Sequence, residues 1–344
     1  MHKIKEIKCV IWDLDNTIWD GVLIESDDIK IKPNIEDIIK TLDSRGILNS
    51  IASRNNFDDA MEKLKFYGLD EYFIYPEINW NAKSNSISNI QKNLNISMDS
   101  MLFIDDQPFE REEVKSIYPD INCMDASEYS GLLEQGSMNP KFITEDSKRR
   151  RKMYMEDIVR KGDEENYKGP KESFLASLEM EFIISEAKEE DLKRAEELTV
   201  RTNQLNATGK TYSYDELNAF RESDTHKLLV CELTDKYGSY GKIGLALIEI
   251  NEDNWHLRLL LMSCRVMSRG VGTVLLYYIM QMAKAEGKRL LADFRQTDRN
   301  RMMYVSYRFV NFKEIYNDNQ GNIIFENDLS NIPKQPRYLK VKIM

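Results

Sequence analysis

Three short apolar runs frame the N-terminal half of the chain: Cys9-Val10-Ile11-Trp12, Leu48 to Ala52, and Met101 to Ile104. Each has strand length and breaks off abruptly into polar residues. Segments of helical length lie between them, at Glu36 to Arg45, Phe57 to Tyr67 and Lys83 to Leu94. Strand and helix in alternation predict a parallel sheet covered by helices on both faces. In such sheets ligands bind beyond the carboxyl ends of the strands. The residues at those ends are therefore where function is to be sought.

Those residues are rich in oxygen ligands and charge. Asp13-Leu14-Asp15-Asn16-Thr17 follows the first run, Ser53-Arg54-Asn55 the second and Asp105-Asp106 the third, while Lys83 opens a helix. Two carboxylates two residues apart at a strand end suit metal-assisted phosphoryl transfer. One can attack phosphorus while the other shuttles a proton to the leaving oxygen. The Ser53 hydroxyl, with the backbone amides of Arg54 and Asn55, can hold phosphate oxygens. The Lys83 ammonium can offset charge on the phosphoryl group and nucleophile, and Asp105 with Asp106 can complete a site for Mg2+. An isolated Asp pair could equally begin a surface turn; four polar clusters in this order argue against coincidence.

Over roughly Lys8 to Ile117 the arrangement resembles the four motifs of the haloacid-dehalogenase (HAD) superfamily. The resemblance implies that Asp13 is the nucleophile and Asp15 the general acid/base, which also binds magnesium through its backbone carbonyl. It implies further that Thr17 and Ser53 hold phosphate and that Lys83 stabilises the intermediate. Asp105 binds metal with help from Asp106, so Asp13, Asp15, Asp105 and Asp106 form the implied metal set. The short gap between Asp13 and Ser53 leaves no space for a large cap. The expected fold is α/β, a Rossmann-like doubly wound sheet without large cap, its substrate presented by a macromolecule or covered by a second domain.

From about Pro140 to Pro170 the sequence is heavily charged and includes the run Lys148-Arg149-Arg150-Arg151-Lys152. It reads as a solvated helix and linker, or as a basic patch for an acidic partner. Beyond it come strand-like Phe182 to Ile184, a helix from about Glu189 to Thr199, strands at Lys227 to Leu233, Lys242 to Ile250 and Leu257 to Cys264, and a helix over Val271 to Glu286. This α+β order divides the chain into a HAD-like domain over 1–140, a helical linker over 141–178 and a second domain over 179–344.

The second domain looks like a GNAT acyltransferase fold, in which a glycine-bearing turn holds the pyrophosphate of coenzyme A at a helix N-terminus. Here the turn runs from Met267 to Thr273 and contributes Gly270 and Gly272. Met267 stands where acetyl-CoA users usually carry Arg or Gln, which leaves room for a carrier-bound phosphopantetheine arm. Cys264 precedes the turn at a strand end, a place where a lone cysteine is usually core. Arg265 and the nearby helix N-terminus could instead favour its thiolate. Cys9, Cys123 and Cys231 lie in apolar segments and read as packing residues. Arg201, Asn203, Gln204 and Asn206 form a dense polar set. If the preceding helix continues, Arg201 and Gln204 share one face, as do Asn203 and Asn206. They read as a solvated helix end or as a site for glycerate oxygens or a second phosphate. Eight residues of extended strand, about 26 Å, separate His256 from Cys264, and His2 and His226 have no supporting context, so no catalytic histidine is expected.

A closer resemblance covers nearly the whole chain. Asp13-Leu14-Asp15-Asn16-Thr17-Ile18-Trp19-Asp20-Gly21-Val22 and Phe103-Ile104-Asp105-Asp106-Gln107-Pro108-Phe109-Glu110-Arg111-Glu112 are similar to motifs of the FkbH-like family. So are Arg201-Thr202-Asn203-Gln204-Leu205-Asn206, and Met262 to Val266 running into Arg269-Gly270-Val271. The resemblance implies a glyceryl transferase/phosphatase. Such enzymes load a glyceryl unit from 1,3-bisphosphoglycerate onto an acyl carrier protein, with loss of phosphate, for polyketide-type products. It also implies Cys264 as the acyl-carrying nucleophile. Asp20 stands where the family usually has Gly, and Arg54 where it usually has Lys, which keeps the charge but changes the donor geometry. The alternatives are a magnesium-dependent phosphatase fused to an N-acyltransferase acting on a sugar or amine, and a non-enzymatic scaffold. The intact set Asp13, Asp15, Lys83 and Asp105 speaks against the scaffold.

Composition narrows the partners. A net charge of -10 and a pI near 5.1 over 344 residues exclude a general nucleic-acid binder, which needs a basic face. No apolar run approaches the roughly 20 residues that span a bilayer, and Met1 to Glu6 lack the apolar stretch of a secretion signal. Four scattered cysteines without ligand spacing suggest thiols in a reducing compartment, the cytoplasm.

Overall fold

The computed structural model describes residues 6–26 and 29–344; the readings of Met1 to Lys5, His2 included, lie outside the described residues. The chain divides into two compact units, Met1–Ile158 and Val159–Met344. The expected fold class is met: one unit is built on a parallel sheet with helices on both faces, the other on a mixed sheet.

In the first unit, chain order runs β1 (Cys9–Trp12), β2 (Trp19–Asp20), β3 (Lys30–Ile31), α1 (Ile35–Ser44), β4 (Leu48–Ser53), α2 (Phe57–Phe66), β5 (Glu77–Ile78), α3 (Lys83–Leu94), β6 (Met101–Asp105), α4 (Pro108–Ile117) and β7 (Asn122–Asp125). The five-stranded sheet has the order β5-β4-β1-β6-β7, every pairing parallel. Alternate residues of the central strand feed opposite cores. Val10 and Trp12 pack with α1 and α2, while Cys9 and Ile11 pack with α3 and α4, as the period of two requires. The buried polar residue of β4 is satisfied, since Asn49 Oδ1 accepts from Trp12 Nε1 at 2.9 Å. Trp12 stands level with Ile51 and Ile104, so the chain leaves three adjacent strands at nearly one height. That register gathers Asp13, Ser53 and Asp105. Among the described residues, β2 and β3, a two-residue antiparallel pair, and α1 are the elements between β1 and β4, which agrees with the absence of room for a large cap.

The charged stretch beyond this sheet is less solvated than its composition suggests. It holds α5 (Glu145–Lys148) and α6 (Arg150–Asn166). Arg150 is buried and donates to the Gly46 carbonyl at 2.5 Å; Arg151 bonds Asp43 at 3.0 Å and Glu71 at 3.2 Å. These two arginines are structural anchors of the first unit and not part of a free basic patch. Their partners lie far away in sequence and so could not be read from the run itself.

The second unit comprises α7 (Lys171–Ser177), β8 (Met180–Glu186), α8 (Leu192–Arg201), α9 (Tyr214–Arg221), β9 (His226–Asp235), β10 (Gly238–Ile250), β11 (Asn254–Met262), α10 (Val271–Ala285), β12 (Arg289–Arg295), α11 (Arg301–Phe309), β13 (Lys313–Asn317), β14 (Asn322–Asn327) and β15 (Leu339–Ile343). Its eight strands follow the order β13-β14-β12-β11-β10-β9-β8-β15. Along β10, Leu245 and Leu247 face the core of α8 and α9, and Ala246 and Ile248 the core of α7, α10 and α11. The parallel neighbours β11 and β12 pair only from Asn254–Leu257 against Arg289–Ala292. Further along, the segment Leu205 to Ala207 lies between them: Ala207 N–H donates to Leu260 O at 2.9 Å, Met262 N–H to Leu205 O at 2.9 Å, and Arg295 N–H to Ala207 O at 3.0 Å.

Two local expectations fail here. Helix α8 ends at Arg201, and Thr202 is already extended, so Arg201, Asn203, Gln204 and Asn206 share no helical face. Asn206 is buried in a turn, accepting from Thr208 N–H at 3.1 Å and Gly209 N–H at 2.9 Å. The backbone bonds on offer between β11 and β12 outweigh continuation of the helix. Strand β11 likewise stops at Met262, and Cys264 opens a separate turn over Cys264–Val266.

Candidate active site

The carboxyl edge of the first sheet holds a compact cluster of charge. Asp13 follows β1 and is buried, its N–H donating to Ile104 O at 2.9 Å. Lys83, at the first position of α3, is 4% exposed; its Nζ lies 2.8 Å from Asp13 Oδ1 and also bonds Asp105, which is 0% exposed. Ser53 closes β4 and donates to the Asp13 carboxylate. Burial raises the Asp13 carboxyl above its usual range, with Lys83 and Ser53 opposing. Burial and the neighbouring Asp13 charge push Asp105 up to about 6. For Lys83 burial works against the charge, but the two carboxylates outweigh it and hold the ammonium above its ordinary value.

Carboxylate oxygens of Asp13, Asp105 and Asp106 all lie within 4.8 Å of one another. Three hard oxygen donors against a single ammonium leave net negative charge that a divalent cation such as Mg2+ balances, so the residues fit the metal expected from the sequence. The carboxylate of Asp15 is not in this set. Its Oδ1 accepts from Trp19 Nε1 at 2.8 Å and Leu23 N–H at 3.1 Å, and its Oδ2 from Asn55 Nδ2 at 3.1 Å. Asn16, in a left-handed conformation with φ 53°, turns the chain between the two aspartates and the β2–β3 pair. Thr17 is fully buried, and its hydroxyl has no hydrogen-bond partner.

An open depression sits over the cluster, lined by Asp13, Asp15, Asn16, Ser53, Arg54, Lys83, Asp106 and Glu110 among others. Thr17 is not in that lining. Arg54, expected to meet phosphate, lies 3.1 Å from Glu110 Oε1 and donates from Nε to Asn81 O at 3.4 Å. Asn55 serves Asp15. Arg111 fixes the metal side, donating to Asp105 O at 2.6 Å and to Asp125 at 2.6 Å. Glu110, Arg111, Trp19 and Gln107 were not singled out from the sequence, although all four fall inside the two motifs quoted there. Their position just beyond β1 and β6 was the available signal.

In the second unit, Cys264 is half-buried and begins the turn that leads to α10. Arg265 donates to Tyr240 O at 2.9 Å. Gly270 caps α10 at φ 77°, with Gly272 in the first turn; a Cβ at Gly270 would lie 2.5 Å from the Tyr338 hydroxyl. Arg201 lies 3.8 Å from Glu197, Asn203 is exposed and Gln204 half-buried. His256 is held by Asp293 at 2.7 Å. Burial pushes the thiols of Cys9 and Cys231 far up, as packing residues require. Among the described residues, no helix is long and apolar enough to cross a membrane.

No protein-family model matches the chain. A human protein, magnesium-dependent phosphatase 1, is 26% identical over 119 residues, covering 29% of this chain and 68% of the relative. Among solved structures, the N-terminal part of a Bacteroides fragilis protein, containing a phosphatase domain complexed with Mg, is 32% identical with a TM-score of 0.36; the match covers 39% of this chain and 40% of that one. The ribosomal-protein-S18-alanine N-acetyltransferase of Escherichia coli is 17% identical with a TM-score of 0.33, over 42% of this chain and 92% of that one. The PaiA N-acetyltransferase of Thermoplasma acidophilum, in complex with coenzyme A, is 16% identical with a TM-score of 0.35, over 42% and 98%. The N-terminal part of the chain is thus similar in sequence to a magnesium-dependent phosphatase.

Proposed function

We propose that the first unit is a magnesium-dependent HAD-type phosphatase or phosphotransferase. The observation that carries this reading is the buried cluster in which Lys83 joins Asp13 and Asp105 while Asp106 completes an oxygen triad. Asp13 attacks phosphorus, forming an aspartyl phosphate as the bond to the leaving oxygen breaks. Asp15, oriented by Trp19, Leu23 and Asn55, gives that oxygen a proton. It then takes one from the water that attacks the same phosphorus, which frees phosphate and restores the Asp13 carboxylate. Lys83 stabilises both carboxylate and phosphoenzyme, and Ser53 with the Arg54 and Asn55 amides receives phosphate oxygens. Mg2+, held by Asp13, Asp105 and Asp106 and by the Asp15 carbonyl, supplies charge neutralisation at the phosphoryl group.

The finer reading is that the chain takes a glyceryl unit from 1,3-bisphosphoglycerate and loads it onto an acyl carrier protein. It is supported by the four FkbH-like motifs and by the half-buried cysteine at the α10 turn. The Cys264 thiolate attacks the acyl phosphate carbon, a C–S bond forms and phosphate leaves. The carrier's phosphopantetheine thiol then displaces Cys264, exchanging one thioester for another. Gly270 and Gly272 receive the carrier's arm, and Arg201, Asn203, Gln204 and Arg265 serve the glycerate. The scattered cysteines favour the cytoplasm as the compartment.

Two measurements on the full chain test this reading. Phosphate release should require Mg2+ and stop in EDTA. After incubation with 1,3-bisphosphoglycerate, intact-mass spectrometry should show a hydroxylamine-sensitive glyceryl or phosphoglyceryl adduct on the Cys264 peptide, with loading of holo-carrier that Cys264→Ser abolishes. Acetyl-CoA turnover on a small amine without carrier loading would establish the N-acyltransferase alternative instead.

A further inference from the structure

Helix α11 packs into the second unit by one face and turns a second apolar face to water. Met303 and Tyr307 are buried in the core, one turn apart on one side of the helix. Met302, Val305 and Phe309 line another side by the same periodicity, and they are 49%, 49% and 74% exposed. Arg301 and Arg308 border this line and are exposed as well. Arg308 donates to Phe312 O at 3.4 Å, and among the described residues neither arginine has a carboxylate partner. A chain of net charge -10 thus carries a local face that is both basic and apolar. Exposed Met, Phe and Arg side by side are the composition of a protein interface, and a contiguous apolar line on a soluble surface marks a place that a partner covers.

Its place in the fold and its charge select the partner. Strands β11 and β12 are parallel, so the Cys264 turn that follows β11 and the start of α11 that follows β12 leave the sheet at the same edge. Asn300, fully buried just before α11, fastens that start, its Nδ2 donating to Asn206 O at 3.0 Å and Arg295 O at 2.8 Å. The two arginines call for carboxylates or phosphates. A nucleic acid would satisfy them through its backbone but leave Met302, Val305 and Phe309 in water. A protein surface with carboxylates around an apolar patch satisfies both. We infer that the outer face of α11 docks the body of the acyl carrier protein, Arg301 and Arg308 meeting its carboxylates and Met302, Val305 and Phe309 its apolar patch. The carrier's flexible arm then delivers its thiol to the sheet edge that bears Cys264. This rests on the carrier-loading reading above.

The test uses the full chain with 1,3-bisphosphoglycerate and two acceptors, an acidic holo-acyl carrier protein and free pantetheine, which share the thiol but not the protein body. The wild type should use the carrier better than pantetheine, and added salt should narrow that preference. Arg301→Glu combined with Arg308→Glu sets like charges across the contact, and should lower kcat/KM for the carrier about 10- to 100-fold while transfer to pantetheine stays within about two-fold. Phe309→Ser should act in the same direction by removing the largest apolar contact. Carrier loading that is unchanged in these variants would overturn the inference. So would a proportionate loss on both acceptors, which marks α11 as a support for the fold, or a wild type that uses the carrier no better than pantetheine. Binding of the wild type to phosphatidylserine vesicles, lost in the double variant while carrier loading is kept, would overturn it in favour of a membrane-facing helix. Transfer to neither acceptor by the wild type would instead overturn the carrier-loading reading, and this inference with it.

Discussion

Replacing Lys83 with methionine tests whether the cluster is held together by charge. The ammonium is 4% exposed, and the carboxylates it joins are Asp13 at 5% and Asp105 at 0%. Lys83→Met keeps the length of the side chain and removes its charge, which leaves two buried carboxylates facing each other. Removing one partner of a buried ion pair costs about 3–5 kcal/mol, because the remaining charge stays desolvated. For a domain of this size each kcal/mol corresponds to roughly 2–4 °C in Tm, so the first unit should melt about 6–20 °C lower in EDTA. Mg2+ can replace the lost counter-charge, and binding at 100 times Kd returns about 2.7 kcal/mol. Thermal melts in EDTA and in saturating Mg2+ check this: Mg2+ should recover more stability in the variant than in the wild type. No fall in Tm in EDTA, or equal gains from Mg2+ in both proteins, would refute the reasoning.

Three further outcomes follow from the geometry. Asn55→Ala removes the donor to Asp15 Oδ2 and should lower kcat for phosphate release by about 10- to 100-fold with little change in KM, measured by steady-state kinetics. Arg160, its side chain 1% exposed, bonds the buried carboxylate of Asp235 through Nε at 2.6 Å and Nη2 at 3.1 Å; Arg160→Met should destabilise the second unit by about 3–5 kcal/mol in denaturant unfolding. For Asp293, burial alone would raise the carboxyl, but His256 and Arg258 outweigh it and hold it below its usual range. Its contribution is therefore complete above the unfolded value of about 3.9 and lost as pH falls through the lower folded value, so Asp293→Asn should flatten the acid limb of a stability–pH profile below about pH 4.

Much of the first unit was legible because its strands are buried on both faces and end in chemistry. Cys9 to Trp12 is wholly buried, and the break to Asp13 is sharp in sequence as in structure. Strands β5 and β7 escaped notice because they are short and partly exposed: β5 has two residues, and only Met124 of β7 is buried. In the second unit the stop at Arg201 and the end of β11 at Met262 are set by the backbone of Leu205 to Ala207 seated between β11 and β12, a contact no local pattern announces. The anchoring of Arg150 and Arg151 and the pairing of Arg54 with Glu110 are likewise long-range. Sequence reasoning found the charges there but not their partners.

The central claim is that Asp13 accepts the phosphoryl group, and Asp13→Asn addresses it with almost no change of shape. Phosphate release by the full chain, measured with and without Mg2+, should fall on the order of 10³-fold or more in this variant, with the fold intact by circular dichroism. Mg2+-dependent phosphate release near the wild-type rate from Asp13→Asn would contradict the account.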